Sequence, residues 1–201
     1  AVVVVQVSGR GVGYRIAGLM DGIVVEGAEH ARTLRDRLRA MDGCEVCQIQ
    51  ARSEAGDDPW AVARLQTGYV QLYRIQYYRG YTFFSARRCV RELHLLPADE
   101  RTLFLHEMAE VAHAVFRAFA PVKLNYDMLG NGVPHLHWHL VPRHADDPRL
   151  FAPIWENLDF LRLTWTGHEE TDTELRGELK ARLLTELRAA DVTIERDFLE
   201  A

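Results

Sequence analysis

The chain has 201 residues, of which 48% are hydrophobic and 26% charged, and its formal net charge is -5. That length suits one domain with room for an added arm, and an acidic balance gives no general attraction for a nucleic acid polymer, so any site for a phosphorylated ligand must be local. The longest apolar run, AVVVV, is far too short to cross a bilayer and lacks the flanks of a signal peptide, which makes a cytoplasmic chain with no membrane partner the expectation.

In chain order, Val2 to Val7 and Val12 to Ile16 read as a hairpin around SGRG, and AEHARTLRDRLRAM, residues 28 to 41, as a charged helix ended near Gly43. Residues 1–41 are therefore expected to form an N-terminal extension. CEVC follows, with Cys44 and Cys47; three cysteines, an odd number, argue against a secreted disulfide framework and point to metal or redox chemistry. SEAGDDP, residues 53 to 59, reads as a loop, and Ala61 to Gln66, Tyr69 to Ile75 and Tyr81 to Ser85 as an antiparallel meander. Pro97, Asp99 and Glu100 open a long helix to about Phe119, whose Phe104, Met108, Val111 and Val115 share one face and should lie across the sheet. Two more strands are expected at Val122 to Asp127 and Leu136 to Val141, and Leu175, Leu179, Leu183 and Leu187 mark a C-terminal amphipathic helix within an extension over 149–201. The fold class that results is α+β, an antiparallel sheet with a long helix packed across it and a C-terminal helix.

Three histidines stand on alternate positions in NYDMLGNGVPHLHWHLVPR, residues 125 to 143. On a strand, His135, His137 and His139 share one face while Leu136, Trp138 and Leu140 share the other. The second face is apolar enough to pack under the long helix, so the first looks into a cleft or at solvent. A neutral imidazole donates and accepts, titrates near pH 6.5, ligates metals and attacks phosphorus, and three in a row are an unusual way to face bare water. Upstream, GNG is either a tight turn before the strand or a place where Gly130 and Gly132 let backbone approach a ligand.

HLHWHLV resembles the His-x-His-x-His signature of the histidine-triad (HIT) family, and the likeness runs upstream through GYTFFSARRCVRELHLLPADE and CEVC, over roughly residues 42 to 145 of an expected domain spanning 42–148. The resemblance implies a small α+β domain that hydrolyses or transfers nucleotides by cleavage at an α-phosphate, usually as a homodimer built on the long helix and the adjoining sheet edge. It assigns the nucleophile to His137, through a nucleotidyl-histidine intermediate, and places His139 on the phosphate or bridging oxygen. Asn131 stands where relatives carry a glutamine whose amide donates to the same phosphate. The ribose-binding position of relatives falls near Tyr73 here, a departure that leaves Gln76 as a substitute. The loop before the triad is shorter than in many relatives, implying fewer contacts to the leaving group. The substrate class implied is a dinucleoside polyphosphate or a phosphoramidate-like ester, and the alternative is a nucleotide-binding regulatory module with little catalysis.

The paired cysteines fit the same frame. A Cys-x-x-Cys turn presents two thiolates to one tetrahedral ion, and zinc-bearing relatives add a ligand from the basic turn after GYTFF and the first triad histidine. The resemblance thus implies structural zinc on Cys44, Cys47, Cys89 and His135, with cysteine in place of the usual turn histidine. A redox pair and buried free thiols remain the competing readings. His30, His94, His106, His113, His144 and His168 are expected at the surface or in the core.

Overall fold

The structure is a computed structural model that describes residues 3–8, 11–16, 43–166 and 173–199. The chain forms two compact units, Ala1–Gly43 and Cys44–Ala201. In the first, β1 (Val3–Ser8) and β2 (Gly11–Ile16) pair antiparallel, Val3 opposite Ile16 and Ser8 opposite Gly11. The helix expected over 28–41 lies outside the described residues.

The second unit opens with α1 (Glu45–Ala55), which begins at Cys44 and ends where Gly56 turns left-handed at φ 81°. The expected loop at 53 to 59 therefore starts three residues later: Ser53 stays helical, its hydroxyl donating to the Ile49 carbonyl and to Asp58. Gln50 anchors α1 to the sheet by donating to Ser85 Oγ (3.0 Å) and the Ala86 carbonyl (2.9 Å). The meander follows as β3 (Ala61–Leu65), β4 (Gly68–Leu72) and β5 (Thr82–Ala86). The long helix α2 (Ala98–Phe119) starts after Pro97 with two acidic residues at its positive end and returns the chain to β6 (Lys123–Asp127) and β7 (His137–Arg143).

The sheet order is β6-β7-β5-β4-β3-β8, with every pairing antiparallel. β7 thus sits between the meander and β6, second from the edge of the sheet. On the helix side, Phe104, Val111 and Val115 of α2 are buried against Phe84, Leu136 and Leu140, with Met108 and Trp138 half-buried beside them. The Phe84 and Phe104 rings stack at 5.0 Å. Burying a large apolar side chain stabilises by about 1.5–3 kcal/mol, so this layer carries much of the fold.

The C-terminal residues join the same core. α3 (Leu158–Thr166) and α4 (Thr173–Arg188) precede β8 (Ile194–Asp197), which adds a sixth strand along β3. Leu179, Leu183, Leu184 and Leu187 are buried, whereas Leu175 is 39% exposed: the contact stripe of α4 takes in Leu184 and leaves out its first turn. α4 packs on α2, where Ala112 is 1% exposed, so part of the helix surface expected to be free for a partner is covered within the chain. Neither β8 nor α3 was anticipated. IERD has too little alternation to read as a strand, and α3 is a short helix that leans on an aromatic cluster supplied from the loop after β4. Glu107 is also unexpected, a buried carboxylate on α2 that accepts the Gln66 and Thr67 backbone N–H groups (3.0 Å each) and the Thr67 hydroxyl. It closes the β3–β4 turn from behind, and burial holds its carboxyl above the usual range. Among the described residues, no helix is long and apolar enough to cross a membrane.

Candidate functional site

The register of β7 decides where each histidine points. His137 pairs with Ser85, and His139 pairs with Phe83 on one side and Asp127 on the other. Paired residues of antiparallel strands project to one side, so His137, His139, Phe83 and Asp127 share the sheet face away from α2. Phe83 lies 4.6 Å from the His137 ring and 5.3 Å from the His139 ring, and the two imidazoles meet edge to face at 4.7 Å.

Hydrogen bonding assigns the tautomers. A carbonyl only accepts, so His137 Nδ1, 2.5 Å from the His135 carbonyl, carries the proton and leaves a lone pair on Nε2. His139 Nε2 is 3.0 Å from that lone pair and must donate to it. His139 Nδ1 is then an acceptor, and the Tyr81 hydroxyl, 2.8 Å away, donates to it. Burial holds the whole relay neutral: it lowers the pKa of His137, pushes that of His139 down to about 3 with help from its neighbour, and raises that of Tyr81 well above the usual phenol value. Tyr81 was not singled out from the sequence. The only available signal was its alternation with Phe83, and the strand partner that gives this meaning is 58 positions away.

These histidines open into a groove of about 550 Å³, within the usual size of a small-molecule site. Asn131, Gly130 and Gly132 line it from the loop before the triad, and Val46, Ile49 and Trp60 supply an apolar end. Gly130 adopts φ 66°, and a side chain at Gly132 would meet nothing within 4 Å, so GNG combines a left-handed turn with open space facing the groove. Gln76 is placed elsewhere. Its amide donates to the Tyr73 (2.5 Å) and Tyr81 (3.0 Å) carbonyls and accepts from Gly80 N–H (2.9 Å), so it holds its own loop and does not line the groove. Polar groups that do line the groove are Gln71 and Asp58, joined at 2.6 Å, together with Glu45, Arg52 and Arg74.

Behind the groove, the ligand atoms of Cys44, Cys47, Cys89 and His135 lie within 4.8 Å of one another. His135 is fully buried, and its Nε2–H donates to the Ala86 carbonyl at 2.7 Å, so Nδ1 turns a lone pair toward Cys44 Sγ (3.3 Å) and Cys47 Sγ (3.6 Å). A metal-bound histidine has this arrangement, its second nitrogen held by a carbonyl. Burial and the neighbouring thiols push the Cys47 thiol up to about 12 and raise Cys89 as well, a cost that a divalent cation reverses by stabilising thiolates. The donor set fits a tetrahedral ion of the structural type. His94 stands apart, exposed on a short turn over Leu93–Leu95.

The family model described as HIT domain matches residues 77–146. That stretch, and it alone, matches a HIT domain. The matched span holds Tyr81, Cys89 and all three triad histidines, and leaves Cys44, Cys47 and everything after His144 and its two neighbours outside. Solved structures share the fold. A histidine triad protein from Marinobacter aquaeolei VT8 is 23% identical with a TM-score of 0.52, covering 64% of this chain and 88% of its own. A histidine triad (HIT) protein from Sinorhizobium meliloti 1021 is 22% identical with a TM-score of 0.51 over 63% and 87%. A hypothetical histidine triad nucleotide-binding protein from Sulfolobus tokodaii is 14% identical with a TM-score of 0.54 over 71% and 93%. No curated protein matches the chain. These HIT structures cover roughly two thirds of the chain, so the rest of it lies outside the shared fold.

Proposed function

We propose that the HIT domain is a nucleotide hydrolase or nucleotidyl transferase that acts on a dinucleoside polyphosphate or phosphoramidate-like ester through a nucleotidyl-His137 intermediate. One observation carries the reading: the His135 carbonyl holds the His137 Nδ1 proton, so the Nε2 lone pair is fixed in a groove large enough for a nucleotide. A neutral nitrogen suits attack on an anionic phosphate, which would repel an anionic nucleophile. His137 Nε2 forms a bond to the α-phosphorus, and the bond to the leaving group breaks with its electron pair. Water then attacks phosphorus as the P–Nε2 bond breaks; His137 departs neutral, one water proton stays on the new P–OH and the other neutralises the charge released with the leaving group. His139, kept neutral with Nε2–H outward by Tyr81, exchanges its bond to His137 for one to a phosphoryl oxygen as charge grows there. Asn131 adds a second donor from the loop, and Gln71 with Asp58, rather than Gln76, offers polar contacts at the nucleoside end.

Zinc is the ion proposed for Cys44, Cys47, Cys89 and His135, where it would cross-link the start of α1, the turn after β5 and the entry to β7. The proposed assembly is a homodimer in a cytoplasmic setting. Among the described residues β6 pairs on one side only, and Val122 (57%) and Tyr126 (49%) are exposed along that edge, a fit to the pairing mode of relatives. The test is incubation with nucleotide substrates followed by mass spectrometry. A nucleotidyl adduct on the wild type, absent in His137→Ala, is the expected result; nucleotide binding without any adduct would replace the enzyme with a binding module.

A further inference from the structure

A second cavity, of about 490 Å³, opens on the sheet face that carries the histidines, and none of its lining residues also lines the groove. It is a separate site. Its floor is β6, where Lys123 pairs with Arg143, Asn125 with Val141 and Asp127 with His139, so these three side chains project to the same side as the triad. Four residues of strand set Lys123 and Asp127 about 13 Å apart at Cα, one at each end. The wall is the segment after β7, where Phe151 is wholly exposed and Trp155 is 52% exposed. Arg143, buried beneath it, holds this wall in place by donating to the Asp147 carboxylate (2.6 Å) and to the Ala152 (2.8 Å) and Arg149 (2.5 Å) carbonyls.

The polar groups of the floor differ in what they have left to offer. Arg143 is committed to Asp147, whose carboxylate also accepts the Arg149 N–H (2.8 Å). The Lys123 ammonium donates once, to the Leu124 carbonyl, and keeps two N–H groups. Asn125 Oδ1 accepts from Arg143 (2.9 Å), which leaves its NH2 group as a donor midway along the floor. The Asp127 carboxylate takes no hydrogen bond from any described residue, and burial raises its pKa above the ordinary value. A cation, an amide donor and an unpartnered carboxylate thus lie in a row under two uncovered aromatic rings.

We infer that this cavity is a second nucleotide site, distinct from the groove, and that it takes a guanine nucleotide. The inference does not depend on His137 being a nucleophile. A carboxylate only accepts, and guanine presents N1–H and N2–H side by side as two donors to it, whereas adenine sets a lone pair beside its single donor on that edge. The base stacks on Trp155 and Phe151, the phosphate at the far end of the ligand meets the Lys123 ammonium, and the sugar lies over Asn125. Paired N–H donors also offset the cost of burying the Asp127 charge.

Calorimetric titration of the full chain with guanosine 5′-monophosphate, guanosine and adenosine 5′-monophosphate tests this. Wild type should bind at least one more guanosine monophosphate per chain than adenosine monophosphate. The double variant Phe151→Ala/Trp155→Ala, which removes only exposed rings, should weaken that additional ligand at least about tenfold, the range of lost base stacking. Asp127→Asn offers one acceptor and one donor, the match for adenine, and should lower the preference for guanine at this site about tenfold. Lys123→Ala should weaken guanosine monophosphate about tenfold and leave guanosine unchanged, as loss of a charged hydrogen bond to phosphate requires. Equal counts of the two nucleotides on the wild type overturn the site, as does an additional guanosine monophosphate that ring removal leaves within twofold. A preference for guanine unchanged in Asp127→Asn, or equal weakening of nucleotide and nucleoside in Lys123→Ala, overturns the assignment of the ligand. Failure of the groove as a nucleotide site looks different: the wild type then binds one guanosine monophosphate and no adenosine monophosphate, and ring removal still weakens the one.

Discussion

His135 and His137 are two residues apart on one chain segment, yet they serve two different sites with opposite tautomers. His135 gives its Nε2 proton to the Ala86 carbonyl and keeps the Nδ1 lone pair for three thiols; His137 gives its Nδ1 proton to the His135 carbonyl and keeps Nε2 for the groove. The same imidazole turns its free nitrogen to the thiols or to the groove according to which nitrogen a backbone carbonyl ties down. The carbonyl that holds the His137 Nδ1 proton belongs to the residue that joins the thiol cluster, which links the two sites through one peptide unit.

Breaking the groove side alone gives the largest effect. His137→Ala should reduce turnover by more than about a hundredfold while fold and metal content stay as in the wild type, because covalent catalysis is lost and no ligand is removed. Steady-state kinetics beside metal analysis checks both halves. Breaking the other side gives the converse: Cys89→Ser should weaken zinc binding by at least about a hundredfold and lower the melting temperature, more than loss of an outer contact would. His94→Ala should leave both unchanged, and zinc loss in that variant instead would show that the ligand set is wrong.

The comparison is sharpened by the tautomer relay. Tyr81→Phe removes the donor that holds His139 Nε2–H toward His137 and should lower kcat about tenfold with little change in KM, the scale of one net hydrogen bond in a buried network. An equal rise in KM would mean that Tyr81 shapes the groove rather than orienting His139. The smallest effect is on stability against acid. An unfolded His139 takes a proton near its ordinary pKa of about 6.5, whereas the folded one resists until about 3. Its contribution is therefore complete above pH 6.5 and is lost as pH falls toward 3, at about 1.4 kcal/mol per pH unit for one proton. Denaturant titrations of wild type and His139→Gln at pH 7.5 and 5.5 should show the shallower pH dependence in the variant.

Much of this was legible one residue after another. Alternation placed the three histidines opposite Leu136, Trp138 and Leu140, and the structure buries that apolar side under α2. Helical spacing marked Phe104, Val111 and Val115, and the motif order brought Cys89 rather than His94 beside CEVC. What stayed hidden depended on partners far along the chain. Gln76 looked like a groove residue because its loop precedes GYTFF, but three backbone groups within that loop claim its amide.

By itself, then, the sequence determined the periodic elements and the donor types, since periodicity and side-chain chemistry are local properties that need no neighbour. Only the tertiary structure decided which nitrogen of each histidine is free, that Tyr81 and Asp127 flank His139, and that residues after β7 wall a second cavity. Those facts are set by strand register and by carbonyls 2 to 49 positions away, and a hydrogen bond across such separations has no signature in the order of residues.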